Sequence, residues 1–140
     1  MKNFIAGMTI LIILVVFPLQ NALEVVNDHK INKLDEIVYR ATQTARTDGY
    51  FTLENIAELK ANITSSFSDV IDSDIYLNLQ DNDRVKYRLN EFDEREIIKY
   101  EIGIPIKKVI VAGGLFGIDD ADNQYMYIKK GYVLSEVLMP

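Results

Sequence analysis

From Phe4 to Leu23 the chain carries no charge, and only Thr9, Gln20 and Asn21 interrupt its apolar composition. At helical rise a run of this length covers roughly 30 Å, the hydrocarbon thickness of a bilayer. Phe4, Ile10, Leu11, Ile13, Leu14 and Phe17 supply most of the apolar bulk, and Pro18 stands near the outer end. The expected structure is therefore a transmembrane anchor over residues 1–23, followed by one folded domain over 24–140. Lys2 and the amino group precede the run, while Glu24 and Asp28 follow it. That charge order places the amino terminus in the cytoplasm and the carboxy-terminal domain outside the cell membrane. A cleaved secretory signal ending at Ala22 is the competing expectation. Gln20 stands where such a cut wants a small residue, which favours the uncleaved anchor. Pro18 removes one backbone donor, so a kink near Leu14–Pro18 is expected, of a kind that membrane helices tolerate.

Past the apolar run the pattern becomes a stripe. Ile31, Leu34, Val38, Ala41 and Ala45 recur at three and four, the narrow packing seam of a helix over about 24–47. Lys30, Lys33, Asp35, Glu36, Arg40 and Arg46 fall on its other faces. The seam tapers from large residues to alanine, so a close neighbour is expected near Ala41 and Ala45, and self-association through this helix is one way to supply it. Asp48-Gly49 provides the stop, since glycine accepts the left-handed conformation that ends helices. A second helix over about 53–67 follows. Thr52 suits its cap, and Leu53, Ile56, Leu59, Ile63 and Phe67 form its apolar face.

From Asp74 the period switches to two, and strands are expected over about 74–138. Ile75, Leu77 and Leu79 alternate with Tyr76, Asn78 and Gln80; Val85, Tyr87 and Leu89 alternate with Lys86 and Arg88. The Asp81–Arg84 stretch between them has turn composition, which predicts a hairpin. A third strand over 95–111 is interrupted by Gly103 and Pro105, predicting a bulge or an edge there. A fourth, over 124–138, contains Gly131, where a bend is expected. The fold class is α+β: a long amino-terminal transmembrane and amphipathic helix, a shorter helix, and a roughly four-stranded antiparallel sheet with helix on one face.

Between the last two strands lies AGGLFGIDDADN. Leu115, Phe116 and Ile118 are expected to tuck under the sheet as a small satellite core; the alternative is an interaction loop. Asp119, Asp120, Asp122 and Asn123 miss the EF-hand spacing, so solvated turn residues are expected rather than a calcium site. The formal net charge of -6 and the absence of any Lys/Arg cluster argue against nucleic acid. Without cysteine there is no disulfide, thiolate nucleophile or Cys-ligated zinc, and His29 is the single histidine, expected at the surface. Glu94 and Glu96 form a carboxylate pair with nothing to suggest a pocket around them. No cofactor, no metal and no enzymatic activity are expected.

The run from Phe17 to Thr52 resembles the amino-terminal module of TadE-like proteins, small pilin-like membrane proteins of tight-adherence pilus systems. The resemblance rests on a proline near the outer end of the anchor (Pro18), then an amphipathic helix closing with Ala41, Ala45 and Arg46 before Gly49. It implies a pilin-like layout in a bacterial envelope protein. It also implies a non-catalytic minor pilin or assembly component, with the lipid bilayer and other pilus, secretion or conjugation proteins as partners. One position departs from the pattern. Prepilin-type processing cuts after glycine and wants Glu five residues on, but after Gly7-Met8 that position holds Ile12. A membrane-retained assembly component is the better expectation than a filament subunit. The alternative function is an anchored or secreted α+β domain that binds a protein or cell-wall ligand.

Overall fold

The computed structural model describes residues 1–88 and 96–140. Among these, α1 spans Lys2–Asp48 and α2 spans Leu53–Ser66; strands follow as β1 (Tyr76–Gln80), β2 (Ile97–Lys107) and β3 (Gln124–Leu134). The three strands form one antiparallel sheet in the order β1-β2-β3, so the fold is α+β with a long apolar amino-terminal helix. The helix is continuous through Pro18. Two compact units result: Met1–Ile31 with Ile106–Tyr125, and Asn32–Pro105 with Met126–Pro140.

The second unit holds most of the core. Leu34, Val38, Ala41 and Ala45 are buried there, joined by Ile37 from the same helix. Leu59, Ile63 and Phe67 come from α2 and its end; Ile98, Ile102 and Ile104 come from one face of β2. Each such side chain contributes about 1.5–3 kcal/mol when fully buried. The alanines let α2 come close: the Asn55 amide donates to the Ala41 carbonyl at 2.9 Å in a buried bond. Thr52 caps α2 by accepting from the Asn55 backbone N–H at 3.1 Å. Gly49 ends α1 at φ +81°, and a Cβ there would lie 2.6 Å from the Lys86 carbonyl oxygen. The position excludes larger residues on both counts.

The sheet differs from the sequence expectation in three respects. First, it has three strands among the described residues, and no hairpin between 75–80 and 85–88 is made there. β1 instead pairs with β2, Tyr76 opposite Gly103 and Gln80 opposite Lys99. The segment after the turn is drawn to the end of α1. Asn82 exchanges two 2.7 Å bonds with the Phe51 backbone, Lys86 N–H donates to Gly49, and Arg88 N–H donates to Val137. Among its described residues it contributes one parallel bridge, Arg88 to Leu138. Leu89 and Glu94 lie outside the described residues. Second, β2 is the central strand and runs unbroken through Gly103 and Pro105. The β1 ladder stops at Gly103, so the proline's missing donor costs no bond on that side. Third, β3 continues through Gly131. Its glycine answers a close approach rather than a bend: a Cβ would sit 2.5 Å from the Tyr100 hydroxyl.

Candidate functional site

The first unit contains the feature with the clearest physical demand for a partner. Every residue of the apolar run from Phe4 to Leu14 is exposed, with Phe4 at 73% and Leu14 at 67%. Ile10, Leu11, Ile13 and Phe17 are exposed to a similar degree, and so is Pro18. Among the described residues nothing covers this surface, and the helix is long and apolar enough to cross a membrane. Thr9 satisfies its hydroxyl within the helix, donating to the Ile5 carbonyl at 2.9 Å. A lone hydroxyl is thereby hidden from whatever apolar medium surrounds it.

At the outer end of the run the loop after β2 is fastened to the helix. The Gln20 side chain behaves as a short strand partner. Its Nε2 donates to the Val109 carbonyl at 2.9 Å and its Oε1 accepts from Val111 N–H at 2.9 Å. One helical stretch further along, Asn27 Nδ2 donates to the Lys108 carbonyl at 3.3 Å. The loop is closed on itself by Asn123. Its Oδ1 accepts from the N–H groups of Val109 (3.0 Å) and Ile110 (2.7 Å), and its Nδ2 donates to the Ile110 carbonyl at 2.8 Å. Gly113 is buried beside this amide, where a Cβ would come within 3.0 Å of Nδ2. Residues 113–116 form a short 3-10 turn, entered at Ala112 with φ 54° and left at Gly117 with φ 75°.

That turn overturns the expected satellite core. Leu115 is 82% exposed and Phe116 63%, while Ile118 is half-buried. The reason lies in the clamp: Gln20 and Asn123 hold the loop by its backbone, so no apolar side chain is needed to fasten it. Asn123 is thus a structural residue, nearly fully buried. Among the described residues no group of three or more His, Cys, Asp and Glu could hold a metal ion. His29 is exposed.

The second unit offers polar contacts and an open recess. Asp35 accepts from Tyr127 Oη at 3.2 Å and from Lys129 Nζ at 2.9 Å. This pairing holds the Lys129 ammonium above its usual pKa. Glu101 is held below the usual carboxylate range, first by the hydrogen bond from Lys130 and then by that from Asn78. Burial pushes the Tyr100 phenol up. Glu101 and Lys130 line an open recess of about 270 Å³ with Lys99, Tyr100 and Tyr132. That volume falls below the usual range for small-molecule sites, and the recess is shallow. Glu96 is buried.

Of the residues singled out in the sequence, the structure groups Leu34, Val38, Ala41 and Ala45 in the core of the second unit. Ile31 is half-buried in the first. The packing seam is therefore occupied by this chain's own α2 and sheet from Leu34 onwards. Gln20, Asn27 and Asn123 are the structural residues that sequence reasoning missed. An amide in an otherwise uncharged apolar run was the available signal, because such a group needs a partner. Comparison with protein-family models, with curated proteins and with solved structures gives no match.

Proposed function

We propose that this protein is a non-catalytic, single-pass membrane component of a bacterial pilus, secretion or conjugation apparatus. Residues 1–23 cross the bilayer and 24–140 lie outside. The observation that carries the reading is the division of one uninterrupted helix into a bare apolar half and a packed amphipathic half. A soluble protein has no means of keeping the bare half in water, whereas a bilayer stabilises it. The TadE-like pattern around Pro18, Ala41, Ala45 and Gly49 adds the apparatus. Ile12 in place of the glutamate that filament packing requires points to an assembly role rather than a filament subunit.

Membrane fractionation with intact-mass measurement of the mature chain tests the anchor. The expected species begins at Met1 or Lys2 and resists alkaline extraction from the membrane. A soluble species beginning at Leu23 would overturn the reading and leave a secreted binding domain. A start at Met8 would restore pilin-type processing and a filament role. For the apparatus, a photo-crosslinker replacing the exposed Tyr39 is expected to capture envelope proteins. Capture of none, with the chain correctly inserted, would leave an anchored domain without an assembly role.

A further inference from the structure

The loop after β2 has a direction. Lys108 is bonded at the level of Asn27 and Val109–Val111 at the level of Gln20. Those helix residues lie roughly 10 Å apart along the axis, a distance that three extended residues can span. The chain therefore runs back along α1 toward the apolar half as far as the level of Gln20, and the 113–116 turn follows directly after the left-handed Ala112. From Val109 to Ile118 the loop contains no charged or polar side chain, and it is bounded by Lys107-Lys108 and Asp119-Asp120. Its two most exposed side chains, Leu115 and Phe116, are at the tip.

We propose that this tip is a second membrane contact, entering the headgroup–acyl boundary beside the point where the helix leaves the bilayer. The inference rests on the reading that residues 1–23 span a membrane. Its independent support is the backbone. Irregular chain is tolerated at membrane depth only when its polar groups are satisfied within the protein. Here Gln20 takes the Val109 carbonyl and Val111 N–H, and Asn123 takes both groups of Ile110. Leu115 N–H donates to Ala112, Gly117 N–H to Gly114, and Ile118 N–H to Gly113. Such a loop can lose water at its tip without stranding these groups. The attraction is apolar, since the loop is bounded by two lysines before it and two aspartates after it, which leave no net charge to draw anionic lipid. Zwitterionic phosphatidylcholine is the fitting surface.

The chain has no cysteine, so single-cysteine variants can be labelled without background. Leu115→Cys, Phe116→Cys, Phe17→Cys and Ser73→Cys chains are reconstituted at full length in phosphatidylcholine vesicles carrying nitroxide lipids, each with an environment-sensitive fluorophore. Quenching at 115 and 116 is expected to approach that at 17 and to exceed that at 73 several-fold. Quenching at 17 with none at 115 or 116 overturns the proposal while leaving the anchor in place. Absence of quenching at 17 overturns the spanning reading itself. A blue-shifted label at 115 that escapes lipid quenching, and returns to its water spectrum on dilution, assigns the tip to a second copy and also overturns the proposal.

Discussion

The two halves of α1 share one backbone and satisfy their apolar side chains by opposite means. Between Leu34 and Ala45 the hydrophobic residues occupy one stripe, and the chain covers that stripe with α2 and the sheet. Between Phe4 and Leu19 they occupy every face, and among the described residues all of them are exposed except the half-buried Val16. Composition already separates the halves, one uncharged and one rich in Lys, Arg, Asp and Glu, and their angular distribution says how each is covered. A stripe can be buried by a single neighbour, whereas an all-round apolar cylinder needs a surrounding medium.

Truncating each half breaks or upholds this contrast. Leu34→Ala is expected to destabilise the second unit by about 2–5 kcal/mol, the usual cost of a large-to-small change at a fully buried site. Leu14→Ala should leave that unit's unfolding transition unmoved. Denaturant titrations in mild detergent, followed by aromatic fluorescence of the tyrosines, read both. Equal losses would mean that the bare half is packed after all.

A smaller effect is expected at the clamp. Gln20→Ala leaves the Val109 carbonyl and Val111 N–H without their partners. The local cost should be about 0.5–1.5 kcal/mol per bond, the net worth of an ordinary hydrogen bond, since both groups are only half-buried. Amide hydrogen exchange should quicken at Val111 while β1 and α2 amides keep their protection. Unchanged exchange at Val111 would show that the loop does not depend on the helix.

The smallest effects concern pH. Glu101 titrates below its ordinary value, so its contribution is present above about 4.5 and lost as pH falls through the lowered folded value. Lys129 titrates above its ordinary value, so its contribution is present below about 10.5 and lost as pH rises through the raised folded value. Stability of the second unit should be flat between these limits. Both groups are solvent-accessible, so the slopes at either end should be shallow. A steep loss near neutrality would point to a different titrating group.

Local patterns carried the helices into the sequence reading. Thr52, Gly49 and the three-and-four spacing of Leu34, Val38, Ala41 and Ala45 are signals contained within a few turns, and α1 and α2 follow them. The sheet was less legible because strand partners are chosen at long range. Ile75–Gln80 and Val85–Leu89 both alternate, and adjacency favoured pairing them. What separates them is Asn82, whose amide binds the Phe51 backbone, together with the donation from Lys86 to Gly49. Neither contact has a sequence period. Gly131 and Gly103 are ambiguous for a related reason, since each answers a neighbouring ring or strand rather than its own strand's path, and Pro105 is tolerated because the β1 ladder ends at Gly103. The Leu115–Phe116 tip was misjudged because apolar residues were assumed to fasten the loop. The amides of Gln20 and Asn123 do so instead.

The Gln20 clamp also bears on the order of synthesis. Its two backbone partners lie 89 and 91 positions further along the chain. The apolar helix therefore leaves the ribosome long before Val109 and Val111 exist, and at that stage the Gln20 amide at its outer end has no loop to hold. Docking of the loop is a late event that closes a long stretch of chain, and the entropy of that closure grows only slowly with length. A polypeptide that ends before Val109 leaves Gln20 without its loop partners, with only the 3.4 Å bond to Glu24 one turn on, a local difference between longer and shorter chains.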